Sequence, residues 1–143
     1  MRLYLALLLT PLFLSAMDLA SIAQEPNLER RSQLSLEYAT TTCTTLKDAY
    51  EKGDGGAWRK NLRDISDASD LSKDSLAASG KIARKDPRAF KRAELSLRQV
   101  LRRLEGFRDF VGAQDRAAVE EVRDHLEAIH DDLLKQIMAR KPK

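Results

Sequence analysis

The chain has 143 residues, with 25 lysines and arginines against 22 aspartates and glutamates, so its formal net charge is +3. Because 43% of the residues are hydrophobic, wholesale disorder is excluded, and the length suits a single domain. The single cysteine, Cys43, excludes a disulfide-stapled mini-fold and any zinc or iron–sulfur site built from several cysteines.

The first 23 residues have the organisation of a secretory signal peptide. Arg2 gives a positive start, Leu3–Leu14 is a nearly unbroken apolar run, and Ser21 and Ala23 place small side chains before a cleavage point. We therefore expect residues 1–23 to be removed and the protein to be exported, periplasmic or secreted, with no stable transmembrane segment remaining. An uncleaved anchor is the alternative, but it would hold Asp18 in the bilayer at a cost of about 2.5 kcal/mol or more.

Four segments with a helical period follow the predicted signal peptide: Asn27 to Lys52, Asp54 to Ser79, Asp86 to Val111, and residues 113–139. Similar lengths and short connections favour antiparallel neighbours. We therefore expect an all-α protein, an antiparallel up-and-down four-helix bundle over residues 24–139, with a disordered basic tail at 140–143. In each segment an apolar stripe repeats in steps of three and four: Leu36, Ala39, Cys43, Leu46 and Tyr50; Trp58, Leu62, Ile65, Ser69, Ser72 and Leu76; Phe90, Ala93, Leu97, Val100, Leu104, Phe107 and Val111; Val119, Val122, Leu126, Ile129, Leu133 and Ile137.

Residues that favour helix ends support these boundaries. Asn27 is a good N-cap, and Gly53 suits the left-handed position after a helix end. Asp86 followed by Pro87 predicts a capped start for the third helix, with proline at its first position. Asp115 places a negative charge at the start of the fourth helix, where the helix dipole favours it.

The threonine-rich stretch at residues 40–45 argues against helix, because β-branched side chains lose rotamer freedom there. A strand would need a second strand-like run with which to pair, and the sequence contains none. The sequence therefore predicts a helix through this stretch.

The two histidines, His125 and His130, do not form a metal clamp. They are five residues apart and so do not share a helical face. Glu127 and His130 form a Glu-x-x-His of the kind used in di-iron bundles, but a second copy is missing. Haem would need a Cys-x-x-Cys-His motif or facing ligands, and Met138, the one methionine left after cleavage, shares a segment with both histidines. We expect no metal site and no cofactor.

The sequence contains no pattern typical of a catalytic site. Gly-x-Ser-x-Gly, a phosphate-binding glycine loop and His-Glu-x-x-His are all missing. Cys43 falls on the apolar stripe and has no nearby base, so we expect a buried structural residue. We expect no catalytic residues and no enzyme activity.

Charge is distributed unevenly between the third and fourth segments. Residues 81–111 carry ten positive and four negative side chains, whereas residues 113–139 carry three positive and seven negative. One interpretation is that these two helices pair with each other through exposed ion pairs, which contribute about 0–1 kcal/mol each. The other is a polyanion-binding surface made of Lys81, Arg84, Lys85, Arg88, Lys91, Arg92, Arg102 and Arg103.

The face of the third helix opposite its apolar stripe carries much of this positive charge, together with Leu95. No aromatic residues alternate with the basic ones, so we expect no nucleic-acid binding. Three functions remain open for the exported bundle. The first is protein interaction or a chaperone-like role in the cell envelope. The second is binding of anionic envelope polymers or a membrane surface, and the third is metal or haem carriage.

Overall fold

A computed structural model describes residues 17–139, which form helices and turns and contain no strand. The apolar run of the predicted signal peptide, up to residue 16, and the basic tail at 140–143 lie outside the described residues. Four long helices pack against one another, which confirms the all-α prediction, and one short helix precedes them. The helices are α1 (Leu19–Ala23), α2 (Leu28–Glu51), α3 (Gly55–Ala78), α4 (Arg88–Phe110) and α5 (Arg116–Met138), with a 3₁₀ turn at Ala113–Asp115.

The helix arrangement differs from a bundle in which consecutive helices are always neighbours. Helix α2 packs along α3 and α4, and α5 packs along α4 and α3, while α3 and α4 touch very little. The Oγ atom of Ser32, near the start of α2, lies 2.7 Å from the Oγ atom of Ser72, near the end of α3, so these two helices are antiparallel. The connection at residues 79–87 therefore crosses the end of the bundle. Nine residues are sufficient, because an extended chain of that length spans about 30 Å.

The predicted apolar stripes form the core of this bundle. All seven residues of the third predicted stripe, from Phe90 in α4 to Val111 just after it, are buried, and so are all six of α3. In α2 and α5 the stripe residues are buried except Tyr50, Val122 and Ile137, which are half-buried at its edge. Cys43 is 8% exposed, which confirms the prediction that it is a core residue.

Hydrogen bonds from side chains explain why α2 begins and continues as predicted. The Asn27 side chain accepts a hydrogen bond from the Arg30 amide at 3.0 Å, and Gly53 takes φ = 71° just after the helix ends. Four of the five threonine hydroxyls of residues 40–45, all but that of Thr41, donate to carbonyls of the preceding turn, as Thr42 does to Tyr38 at 2.8 Å. These bonds satisfy the hydroxyl groups within the helix, so the stretch needs no partner strand.

The predicted cap of α4 is wrong. The residue before the helix is Pro87, and no side chain caps its first turn. Asp86 instead lies 3.1 Å from the ammonium group of Lys81, because the crossing loop brings the two side chains together. Asp115 does lie at the start of α5, but its carboxylate accepts a hydrogen bond from the Tyr50 hydroxyl at 2.8 Å.

No helix within residues 17–139 combines the length and the apolar character needed to cross a bilayer.

Candidate interaction surface

The outer face of α4 carries a line of basic side chains around an exposed leucine. At 100° per residue, Arg88, Lys91, Leu95 and Arg102 fall within about 60° of one another, on the side opposite the buried Leu97. Leu95 is 57% exposed, as its outer position on the helical wheel predicts. Fourteen residues of helix separate the first and last of these side chains by about 21 Å. We call Arg88, Lys91 and Arg102 the basic row.

The three cationic groups of the basic row have no carboxylate partner in the described part of the chain. Within residues 17–139, no carboxylate lies within 4.0 Å of its three cationic groups, although each side chain is exposed. Ion pairing between α4 and α5 occurs elsewhere: Arg108 lies 2.7 Å from Glu120. Ion pairing between the two helices therefore explains the charge of Arg108, but it does not explain the charges of the basic row.

The remaining predicted basic residues do not join the row in one uniform patch. The Lys81 ammonium contacts Glu29 at the start of α2 and Asp86 in the crossing loop, and these hydrogen bonds raise its pKa. Arg92 donates a hydrogen bond to Gln33 on α2 at 2.9 Å, so it contributes to packing between helices. The other three differ in exposure: Arg84 is half-buried, while Lys85 and Arg103 are exposed.

A charged cluster joins α4 to α5, and the sequence reasoning missed its buried central residue. Glu94 is only 5% exposed, and its Oε1 accepts hydrogen bonds from Arg98 at 2.5 Å and from His130 Nε2, which lies 2.8 Å away. Burial alone would raise the pKa of Glu94, but the hydrogen bonds and charges of Arg98 and His130 outweigh it and hold the pKa below its ordinary value. The sequence did carry a signal for this residue, because Glu94 is a carboxylate that falls on the apolar side of the helix, between Phe90 and Leu97.

The histidines have structural partners, and the described residues assemble no metal site. His125 Nε2 lies 2.9 Å from Asp70 on α3, while Glu127 is exposed and does not join His130 in one inward site. Within residues 17–139, no three His, Cys, Asp or Glu side chains are grouped so that they could hold a metal ion. Burial raises the pKa of the Cys43 thiol to about 12, so a thiolate nucleophile is unfavourable there.

A concave region lies between α3 and α5, with a volume of about 730 Å³. Its charged lining contains both signs, so it favours neither an anionic nor a cationic ligand. The charged and titratable side chains are Arg59, Arg63, Asp67, Asp70, Glu121 and His125.

Comparison with protein-family models, characterised proteins and solved structures finds no match to this chain.

Proposed function

We propose that this protein is exported, periplasmic or secreted, and that it acts without catalysis by binding an acidic protein in the cell envelope through the outer face of α4. The observation that carries the proposal is Leu95, a large apolar side chain left 57% exposed between basic residues that have no carboxylate partner within residues 17–139. Removing such a side chain from water stabilises a complex. Arginine is also enriched at protein interfaces.

The charge of the row would act mainly on encounter and orientation. Exposed cations attract a partner of opposite charge over a distance set by the Debye length, about 8 Å at physiological ionic strength. The row lies on a helix whose opposite side is fully packed, so the surface is rigid before binding. A partner with acidic side chains around an apolar pocket complements it.

The test is photo-crosslinking in cells with the full chain carrying Leu95→p-benzoylphenylalanine. We expect a covalent adduct with an envelope protein, and we expect Arg88→Glu, Lys91→Glu and Arg102→Glu together to reduce it about tenfold, equivalent to about 1.4 kcal/mol of binding free energy. The matched control is Asp74→p-benzoylphenylalanine, an exposed position on α3, which barely contacts α4. Equal adducts at both positions, or none at position 95, would contradict the proposal.

The second candidate, binding to anionic envelope polymers or a membrane surface, depends on the basic row but not on Leu95. Binding to a heparin-like resin or to anionic vesicles would separate the two. Retention that falls with salt and with the triple reversal, but is unchanged by Leu95→Ala, would favour the polyanion. Loss of binding to the crosslinked envelope protein with Leu95→Ala, at unchanged charge, would favour the protein partner.

A further inference from the structure

The short helix α1 fills part of a groove between α2 and α3, and it contacts both of these helices. Its two aliphatic side chains, Leu19 and Ile22, are three residues apart and therefore share one face. Ile22 is only 2% exposed, and Leu19 is partly buried against the edge of the core. The groove thus accepts a helical peptide with a narrow aliphatic face.

Polar contacts fix both ends of α1. At its start, the Asp18 carboxylate accepts a hydrogen bond from the Ser21 amide at 2.8 Å, which caps the helix. At its end, Arg31 on α2 donates a hydrogen bond to the Ala23 carbonyl at 3.2 Å. The guanidinium satisfies one of the carbonyl groups that a helix end leaves without a partner.

Past the start of α1 the groove continues as a concavity of about 470 Å³ among the described residues. Its floor combines apolar and hydroxyl-bearing side chains of α2 with polar ones of α3. The Tyr38 hydroxyl donates to Asp64 at 3.3 Å, and Asn61 donates to Thr45 at 2.9 Å, so these polar groups are already oriented. A helix longer than α1 therefore has further surface to contact.

We propose that, once cleavage after Ala23 removes α1, this groove binds a short amphipathic helix of a partner protein. That helix would carry two aliphatic side chains three residues apart and a carboxylate at its N-cap. The inference rests on the cleavage that is part of the proposed function, but it concerns a surface on α2 and α3 and not the basic row. In the uncleaved chain α1 occupies the site from within.

Removal of α1 leaves the central core complete. The central apolar cluster of residues 17–139 is built from α2 to α5 and their connections, and Ile22 lies outside it. The mature chain therefore keeps its bundle and presents the vacated groove to solvent. Because an apolar surface exposed in this way favours burial by a partner, the cleavage converts an occupied groove into a docking site.

The experiment is an NMR titration of the chain 24–143 with a synthetic peptide amide of residues 17–23. We expect saturable shifts at groove residues such as Leu34, Tyr38 and Thr42, with a dissociation constant of about 1 mM, because a peptide this short must become ordered on binding. The same peptide with Ile22→Asp should bind about tenfold more weakly or worse. The chain 17–143, in which α1 already occupies the position of the peptide, should show no such shifts.

Three outcomes would overturn the inference: a folded chain 24–143 without saturable shifts, equal binding of the wild-type and Ile22→Asp peptides, or a chain 24–143 that fails to fold by circular dichroism. The last would make α1 part of the folding unit. None of these outcomes depends on the crosslink at position 95, so failure of the groove and failure of the basic row are distinguishable.

Discussion

Glu94 is a buried carboxylate that forms ion pairs with Arg98 and His130. Replacing it by glutamine keeps its shape and an acceptor oxygen but removes the negative charge that strengthens the hydrogen bonds from Arg98 and His130. Hydrogen bonds to a charged group are stronger than those to a neutral one, so we expect Glu94→Gln to lower the free energy of unfolding by about 1–3 kcal/mol at pH 7. Urea denaturation measures it.

The pH dependence of this effect follows from the direction of the pKa shift. The pKa of Glu94 in the folded chain lies below its ordinary value of 4.5. Its contribution is therefore present above pH 4.5 and lost as the pH falls through the lower, folded-state pKa. The curves of unfolding free energy against pH for the wild type and Glu94→Gln should therefore converge in acid. Glu105→Gln, an exposed carboxylate on the same helix, is the matched control and should cost less than about 1 kcal/mol. Parallel curves for wild type and Glu94→Gln would contradict the prediction.

At the scale of one element, α4 separates a packed face from an exposed one, and two leucines two residues apart test that separation. Leu97 is 1% exposed and Leu95 is 57% exposed. Leu97→Ala should lower the free energy of unfolding by about 2–5 kcal/mol, since it creates a cavity, whereas Leu95→Ala should change it by less than about 0.5 kcal/mol. Thermal and urea unfolding of both variants provide the comparison. Equal destabilisation would show that the face is assigned incorrectly.

Periodicity predicted the four long helices because their stability comes mainly from burying one apolar stripe, and a stripe is readable from local sequence. The steps of three and four in α4 identify its buried apolar residues without further information, although they do not identify Glu94. The partner of His130 was not predictable in this way. It lies on another helix, 36 positions away, and a helical wheel does not describe which helix packs opposite.

The same limit applies to the interaction surface. Local sequence identified the basic residues and placed Leu95 on the outer face, but it did not distinguish Arg88 from Lys81. Lys81 is neutralised by Glu29 and Asp86 only because residues 79–87 cross the bundle end. Which positive charges remain without a carboxylate partner is therefore set by the connection between helices and not by the charge run itself.

For the whole molecule, the predicted cleavage after Ala23 would decide whether the groove between α2 and α3 is exposed. Because α1 holds the predicted cleavage point in a helix, cleavage after Ala23 would have to precede the packing of α1 against α2 and α3. Once cut, the chain lacks Ile22, whose burial contributes about 1.5–3 kcal/mol. The bundle loses this contribution and keeps its central cluster.

We expect the protein recovered from the exported fraction to begin at Gln24, because Ser21 and Ala23 supply the small side chains that cleavage requires. Intact-mass measurement after expression of the full chain in a bacterial host checks the position. The control is Ala23→Arg, which places a large charged side chain at the cut and should leave uncleaved precursor in the membrane fraction. A mature chain beginning at Met17 would instead retain Asp18, Leu19 and Ile22. In that case α1 would be a permanent part of the fold, the groove between α2 and α3 would stay filled, and the outer face of α4 would be the remaining candidate for partner binding.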